Sequence, residues 1–277
     1  MKPIVEADWL RAHSRDGDLV LIDVRSSEVY ASSHIPGAHL VNVYDYFAAT
    51  DAPGISDLNA YVSRMLAPLS LSGRETVVFY EDETGMVAPR GLWFYEYAGL
   101  ARGCVLDGGF SAWKTAGGGV VSGSERWGGQ GALLGAHPAP EAQFVVTPNL
   151  SVLATADDLL HLDTGHSVLL DVRRESEFVG TWEQVCCPRS GRIDGAIRLY
   201  WEELIAKGKY APPVLIRRRL DAAGLSADKD VIVYCHRGGR SAAAFYALRL
   251  AGFEHVRNYI GSWHEWSNRP DLPITTG

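Results

Sequence analysis

The sequence contains an internal repeat, and this repeat constrains the fold more than any other feature of its 277 residues. Leu-Ile-Asp-Val-Arg at residues 21–25 returns as Leu-Leu-Asp-Val-Arg at residues 169–173. Leu-Ser-Gly-Arg-Glu-Thr-Val-Val-Phe-Tyr at residues 71–80 returns as Leu-Ser-Ala-Asp-Lys-Asp-Val-Ile-Val-Tyr at residues 225–234. Blocks that match in the same order indicate two copies of one fold rather than chance similarity.

A third match completes the repeat and predicts the domain boundaries. Gly-Gly-Phe-Ser-Ala-Trp at residues 108–113 corresponds to Gly-Ser-Trp-His-Glu-Trp at residues 261–266. Residues 117–147 are rich in Gly, Ser and Pro and show no sustained hydrophobic period, which is typical of a linker. The predicted domains are therefore residues 1–116 and 148–277. The second copy is the longer one, and we expect its extra residues within 181–192.

Composition supports two ordinary globular domains and disfavours some partners. The chain is 47% hydrophobic and 21% charged, which argues against disorder. Its net charge of −7 disfavours nucleic acid as a partner. No apolar run is long enough for a signal peptide or a membrane span, so we expect no membrane association. Four cysteines cannot form a disulfide framework in a chain of this length, and a reducing cytoplasmic setting is predicted.

Within each copy, short apolar runs alternate with helical patterns. Residues 231–234 form a continuous Val-Ile-Val-Tyr run, as expected of a strand covered on both faces. Residues 241–250 are helix-like, and Gly252 ends the pattern. The predicted fold class is α/β, with a parallel sheet in each domain and helices on both faces of the sheet. Ligands of such sheets bind beyond the carboxyl ends of the strands.

The loop that follows Tyr234 carries the candidate chemistry. It reads Cys-His-Arg-Gly-Gly-Arg at residues 235–240, and Ser241 then opens a helix. Glycines let backbone N–H groups turn inward at a helix N-terminus, which makes a cradle for an anion. The helix end and two arginines favour a thiolate, so Cys235 is predicted to be a nucleophile.

A buried packing role is the competing interpretation, since free cysteines are among the most buried residues. The glycine pair and the two arginines favour reactivity instead. The first copy provides an internal control, because Tyr80 is followed by Glu-Asp-Glu-Thr-Gly at residues 81–85. That loop has no thiol and carries three acids, so only the second copy is expected to perform this chemistry.

These motifs together resemble a tandem-domain rhodanese of the thiosulfate and 3-mercaptopyruvate sulfurtransferase family. The resemblance rests on the two Asp-Val-Arg runs, on His-Ile-Pro-Gly-Ala at residues 34–38, on Tyr-Cys-x-x-Gly-x-Arg-Ser at residues 234–241 and on Gly-Ser-Trp-x-Glu-Trp at residues 261–266. It implies a catalytically silent first domain and a second domain that carries sulfur on Cys235. It also implies a monomer that needs no metal and no cofactor.

The resemblance further implies a double displacement. Cys235 takes the sulfane sulfur of thiosulfate as a persulfide and releases sulfite, and cyanide or a thiol then removes the sulfur. The candidate substrate-binding residues are Arg237, Arg240, His236, Gly238, Gly239 and Arg173. Asp171 and Ser241 are expected to support the loop. For Asp171 and Arg173 a structural ion pair is the favoured interpretation, because Asp23 and Arg25 repeat it in the first copy.

Three other functions remain open at this point. Cysteine-dependent phosphatases and arsenate reductases are disfavoured, since phosphatases use Cys-x5-Arg whereas Cys235 and Arg240 are spaced Cys-x4-Arg. 3-Mercaptopyruvate is the alternative donor; Arg237 favours thiosulfate, but Glu177 stands where the family has a donor-binding arginine. A persulfide-carrying binding module is the non-enzymatic alternative. Cys186 and Cys187 are candidates for resolving a persulfide or binding a metal, but they show no zinc-type spacing and no second ligand pair, so packing or incidental exposure is the favoured interpretation.

Overall fold

Two five-stranded sheets form the framework of the protein, shown by a computed structural model that describes residues 2–123, 144–182 and 185–277. The strands of the first sheet are β1 (Ile4–Val5), β2 (Leu19–Asp23), β3 (His39–Leu40), β4 (Thr76–Tyr80) and β5 (Gly103–Leu106). Their order across the sheet is β1-β5-β4-β2-β3, and neighbouring strands are parallel.

The second sheet repeats this topology. Its strands are β6 (Leu153–Ala154), β7 (Ser167–Asp171), β8 (Ile197–Arg198), β11 (Asp230–Tyr234) and β12 (Val256–Tyr259), while β9 (Ile205–Ala206) and β10 (Lys209–Tyr210) lie outside it. The order β6-β12-β11-β7-β8 is that of the first sheet, again with parallel neighbours. The repeat in the sequence is therefore a repeat of fold.

The helices connect the strands in each half. They are α1 (Ala7–His13), α2 (Ser27–Ser32), α3 (Ala52–Leu66), α4 (Val87–Tyr97), α5 (Gly109–Thr115), α6 (Ala156–Leu160), α7 (Glu175–Phe178), α8 (Pro213–Ala222), α9 (Gly239–Leu250) and α10 (Ser262–Asn268). Short 3-10 helices span Ala67–Leu69 and Trp201–Leu204. Among the described residues, no helix combines the length and the apolar character that crossing a membrane requires.

The central strands explain why the apolar runs of the sequence are continuous. Every residue of β4 is buried, and in β11 all but Asp230 are buried. A strand covered by helices on both faces has no solvent side on which polar residues could alternate. Each sheet has its own apolar cluster, one containing Tyr80 and the other Tyr234. The predicted α/β class with parallel sheets is confirmed.

The segment that follows the first predicted domain forms hydrogen bonds with that domain. His34 and Val121 exchange backbone hydrogen bonds of 2.9 and 3.0 Å, and Arg192 and Thr275 form the equivalent antiparallel bridge in the second half. Residues 117–123, assigned to the linker from their Gly content, are thus part of the first repeat. The segment 124–143 of the predicted linker lies outside the described residues.

Contacts between Cα atoms divide the described chain into two units and move a short segment across the predicted boundary. The first unit contains residues 2–46, 59–123 and 144–149 with Lys207–Lys209. Phe47–Leu58, which the repeat places in the first domain, groups with the second unit. Within that unit the Thr50 N–H and hydroxyl donate to the Glu265 carboxylate at 2.8 to 3.0 Å, which explains the assignment.

Candidate active site

Cys235 lies directly after β11, where the chain turns into α9. The residue is buried, with 1% of its surface exposed. Gly238 caps the helix in the left-handed region at φ +82°, and its backbone N–H donates to Cys235 Sγ at 3.2 Å. A Cβ atom at Gly238 would lie 2.8 Å from the Ile260 carbonyl oxygen, so this turn requires glycine. The predicted cradle is therefore present around the sulfur.

The surroundings of Cys235 stabilise its thiolate form. Burial acts to raise the pKa of the thiol, because desolvation disfavours the charged sulfur. The positive charge of Arg240 and the polar groups of Ser241 and the Arg237 N–H near the sulfur outweigh this effect, so the pKa of Cys235 lies below its ordinary value of 9.0. The thiolate is the form of a cysteine that attacks electrophilic sulfur.

Glu177 is the partner of Arg240 and not an isolated acid in a donor pocket. The two guanidinium Nη atoms of Arg240 donate to the two Glu177 carboxylate oxygens at 2.7 and 2.8 Å. Although burial acts to raise the pKa of Glu177, the Arg240 guanidinium holds it below its ordinary value. Repulsion of an anionic donor, expected from the sequence, is thus cancelled by charge pairing. Arg240 in turn acts on Cys235 through its charge.

The guanidinium group of Arg173 binds other groups of the protein itself. Its guanidinium donates to Asp171 at 2.6 to 3.0 Å and to the Gly191 carbonyl at 2.8 Å, and it stacks over Trp263 at 4.6 Å from the ring centroid. The residue is 1% exposed. This placement favours the structural ion pair over the donor contact that the sequence also suggested for Arg173. The Arg25–Asp23 pair of the first repeat has the same geometry as the Arg173–Asp171 pair, which indicates that both pairs support the end of a strand.

Two residues that the sequence analysis did not identify, Phe47 and Ser262, contact the loop that carries Cys235. Phe47, 44% exposed, lies with its ring centroid 4.2 Å from Arg237 Cζ and 4.7 Å from the His264 ring. Ser262 Oγ accepts the Cys235 N–H at 3.1 Å and lies 3.9 Å from Cys235 Sγ. Phe47 comes from a distant part of the chain and has no local signal. Ser262 could have been found, because it replaces Gly109 of the first repeat.

Ser262 adopts a backbone conformation that side chains rarely take. Its φ is +54°, the same value as that of Gly109. A left-handed residue other than glycine costs on the order of 1–3 kcal/mol and persists where the surrounding structure requires it. The Ser262 hydroxyl fixes the backbone of Cys235, and this contact accounts for the strained residue.

His236 contacts the cysteine pair for which a packing role was predicted. Its Nε2 lies 3.1 Å from Cys187 Sγ and 3.4 Å from Cys186 Sγ, and the two sulfurs are 3.5 Å apart. Burial and the charges of Arg237 and Arg240 lower the pKa of His236 to about 4, so the imidazole is neutral at pH 7. Burial raises the pKa of Cys187 to about 11. The sequence indicated no relation between these three residues.

The fold and this site define a family, and two matches to the rhodanese-like domain, over residues 6–116 and 155–269, confirm the resemblance. The chain belongs to the rhodanese family. It is 30% identical to a thiosulfate sulfurtransferase of Pseudomonas aeruginosa, covering 98% of this chain and 96% of the relative. A probable 3-mercaptopyruvate sulfurtransferase of the same organism is also 30% identical, with 99% and 98% covered. These relatives are sulfurtransferases.

A solved structure agrees at the level of the fold. The crystal structure of SseA from Escherichia coli, described with the rhodanese fold of 3-mercaptopyruvate sulfurtransferases, superimposes with a TM-score of 0.75. The match covers 95% of this chain and 99% of SseA at 22% identity. Both repeats thus belong to a known two-domain arrangement of strands and helices.

Proposed function

We propose that this protein moves sulfane sulfur from thiosulfate to cyanide or a thiol through a persulfide on Cys235. The observation that carries the proposal is the setting of Cys235 Sγ, which accepts the Gly238 N–H at 3.2 Å and has a lowered thiol pKa. A thiolate held by a backbone donor at a helix N-terminus is both nucleophilic and able to accept a second sulfur atom.

The first half-reaction forms the persulfide. The Cys235 thiolate attacks the outer sulfur of thiosulfate, a bond forms between Sγ and that sulfur, and the S–S bond of the donor breaks. The bonding electron pair leaves with sulfite. We assign Gly238, Gly239 and the positive charges of Arg237 and Arg240 to stabilising the negative charge of the donor and of the persulfide.

The second half-reaction restores the thiolate. Cyanide or a thiolate attacks the terminal persulfide sulfur, and the electron pair of the cleaved S–S bond returns to Cys235 Sγ. The products are thiocyanate or a new persulfide, so atoms and electrons balance. His236, neutral at pH 7 and next to the nucleophile in the chain, offers a polar contact to donor or acceptor.

Thiosulfate is the donor that the charges favour over 3-mercaptopyruvate. Arg240 is paired with Glu177, whereas Arg237 contacts a sulfur and a ring: its Nη2 lies 3.6 Å from Cys186 Sγ, and its Cζ stacks on Phe47. A compact dianion gains more from this charge than a monoanionic keto acid does. The Cys-x4-Arg loop also disfavours phosphate esters. We further propose that the protein works as a monomer in the reducing cytoplasm, where thiols such as that of Cys235 persist.

Thiocyanate formation tests both the reaction and the donor. Wild-type protein, Cys235→Ser and the control Cys104→Ser, whose sulfur lies buried in the first unit, are assayed with thiosulfate and with 3-mercaptopyruvate. We expect turnover with thiosulfate, loss of about 10³-fold or more in Cys235→Ser, and little change in Cys104→Ser. Preference for mercaptopyruvate would overturn the donor. Silence with both donors, together with persulfide on Cys235 by mass spectrometry, would favour the carrier function.

A further inference from the structure

Three metal-ligating atoms converge beside the nucleophile loop. The Sγ atoms of Cys186 and Cys187 and the Nε2 atom of His236 all lie within 4.8 Å of one another. Cys187 is buried, whereas Cys186 and His236 are partly exposed, so an ion can reach the cluster from solvent. The mechanism of sulfur transfer proposed above does not use the two cysteines.

The spacing of these atoms matches the coordination sphere of one small thiophilic ion. Zn–S and Zn–N bonds of about 2.3 and 2.0–2.1 Å in a tetrahedral site separate two sulfurs by about 3.8 Å and sulfur from nitrogen by about 3.6 Å. The distances here are 3.5 Å between the sulfurs and 3.1 and 3.4 Å from sulfur to Nε2. Outward movements of a few tenths of an ångström would admit the ion.

The segment that carries the cysteines is held by hydrogen bonds at Cys186 and at Arg189. The Cys186 carbonyl accepts from Asn268 Nδ2 at 3.1 Å, and Arg189 donates to the carbonyls of Ser267 and Leu272 at 3.0 and 2.7 Å. The His236 carbonyl accepts the His264 N–H at 2.9 Å. Ligands held by surrounding hydrogen bonds lose little freedom on binding a metal, which raises the affinity of such a site.

We propose that Cys186, Cys187 and His236 form a binding site for a thiophilic d10 cation of the Zn²⁺ class, with a fourth position open to water or an exogenous ligand. Two thiolates and one neutral imidazole are the ligand set that such ions prefer. Binding releases the thiol protons to solvent and changes no oxidation state. Two thiolates also neutralise the dication, so Arg237, 3.6 Å from Cys186 Sγ, is not repelled.

The site is an addition to the second repeat. The cysteines lie within residues 181–192, where the second copy is longer than the first, and Asp82 stands in the first copy where His236 stands in the second. Adjacent cysteines and a histidine far along the chain match no zinc motif of fixed spacing, so the sequence could not reveal the site.

Metal titration tests the proposal independently of sulfur transfer. Reduced, metal-free protein is titrated with Zn²⁺ against a chromophoric chelator, and with Co²⁺ to observe thiolate-to-cobalt charge transfer. We expect one ion per chain and a charge-transfer band in the wild type, in Cys235→Ser and in Cys104→Ser. The double variant Cys186→Ser/Cys187→Ser should bind Zn²⁺ more than about 100-fold more weakly. Loss of a residue that only supports a metal ligand usually lowers the affinity by less than this.

His236→Gln provides a second variant in case the double variant does not fold. It keeps both thiols and should also weaken Zn²⁺ binding by more than about tenfold, with an unchanged circular dichroism spectrum. Two results would overturn the site: wild-type protein that fails to compete with the chelator, or an ion that is lost in Cys235→Ser and kept in the double variant. The latter would place the metal on the nucleophile.

Discussion

Glu81 and Cys235 occupy the same point of two matching frameworks, yet only one can carry sulfur. Each follows the last residue of the central strand, Tyr80 in β4 and Tyr234 in β11. Their backbone carbonyls accept equivalent hydrogen bonds, from the Phe110 N–H at 2.8 Å in the first repeat and the Trp263 N–H at 3.0 Å in the second. The framework therefore does not decide which loop is reactive.

The polar supports of the two loops are also the same. Arg25 pairs with Asp23 as Arg173 pairs with Asp171, each with a shortest N to O distance of 2.6 Å. The Tyr80 hydroxyl accepts the Ile35 N–H at 3.1 Å, and Tyr234 repeats this contact in its own repeat at 3.2 Å. Conservation of these contacts between the repeats shows that they serve the fold, whatever the loop does.

The difference lies in what fills the turn at the helix N-terminus. The Glu81 carboxyl group accepts the Val87 and Ala88 N–H groups of α4 at 2.9 and 2.8 Å, so a side chain of the first loop itself fills the turn. The adjoining cleft, of about 1080 Å³, is lined by further acids, including Asp45 and Glu83. In the second loop the turn holds a sulfur atom, and the Gly238 N–H donates to Cys235 Sγ at 3.2 Å. One scaffold thus supports either a closed loop or a reactive one.

The largest effect is expected from removing the charge that the second loop has and the first lacks. Met86 corresponds to Arg240. Arg240→Met leaves Glu177 buried and unpaired, which should lower the free energy of unfolding by about 3–5 kcal/mol. It should also raise the pKa of Cys235 and move the acidic limb of the rate profile to higher pH. Urea unfolding and pH-dependent thiocyanate formation measure the two effects.

The double variant Arg240→Met/Glu177→Met separates these effects. Replacing a buried ion pair by apolar side chains is often nearly neutral, so most of the stability should return. The shifted pH profile should remain, because the positive charge near Cys235 is still missing. A double variant with the wild-type profile would mean that Arg240 does not stabilise the thiolate.

Gly238→Ala should produce the next largest effect. Alanine at φ +82° would collide with Ile260 and displace the N–H that holds Cys235 Sγ. We expect turnover to fall about 10²-fold, the usual cost of losing one preorganised backbone donor. Gly252→Ala is the matched control, since Gly252 has φ +87° with open space around it. Equal losses of turnover in both variants would show that backbone strain alone is responsible.

Ser262→Gly exchanges a strained residue for its counterpart in the first repeat. Relief of the left-handed conformation and loss of the bond to the Cys235 N–H should nearly cancel, leaving stability within about 1 kcal/mol of the wild type. Turnover should fall roughly tenfold, because the nucleophile backbone is less well fixed. Ser262→Ala, which keeps the strain without the hydroxyl, should be the less stable variant; the reverse order would remove the proposed role of the hydroxyl.

The smallest effect concerns the silent loop. Burial raises the pKa of Glu81 from 4.5 to about 7, so its protonated form is favoured in the folded chain. The contribution of Glu81 protonation to the free energy of unfolding is fully present below pH 4.5 and is lost as the pH rises to about 7. In Glu81→Gln this decline should be absent, while turnover stays unchanged. Thermal unfolding from pH 4.5 to 8 measures the difference between the two proteins; parallel curves would contradict it.

The sequence alone determined the two repeats, the parallel sheets and the place of Cys235 at the end of the central strand of the second sheet. These features depend on residues near one another in the chain: a continuous apolar strand such as residues 231–234, then glycines, then a helix. Hydrophobic periodicity and turn residues depend on amino acids that are close together in the sequence, so they can be recognised without a structure. The acid at position 81 and the cysteine at position 235 could be compared for the same reason, because each directly follows a matched strand of the repeat.

Only the tertiary structure decided which partners the loop residues take. Glu177 pairs with Arg240, Phe47 stacks on Arg237, and Cys186 and Cys187 meet His236, although each pair is separated by many residues. Such pairs form because separate strand ends and connections converge at one edge of a sheet. No local pattern records that convergence, since the energy of a long-range contact depends on the packing of the whole domain.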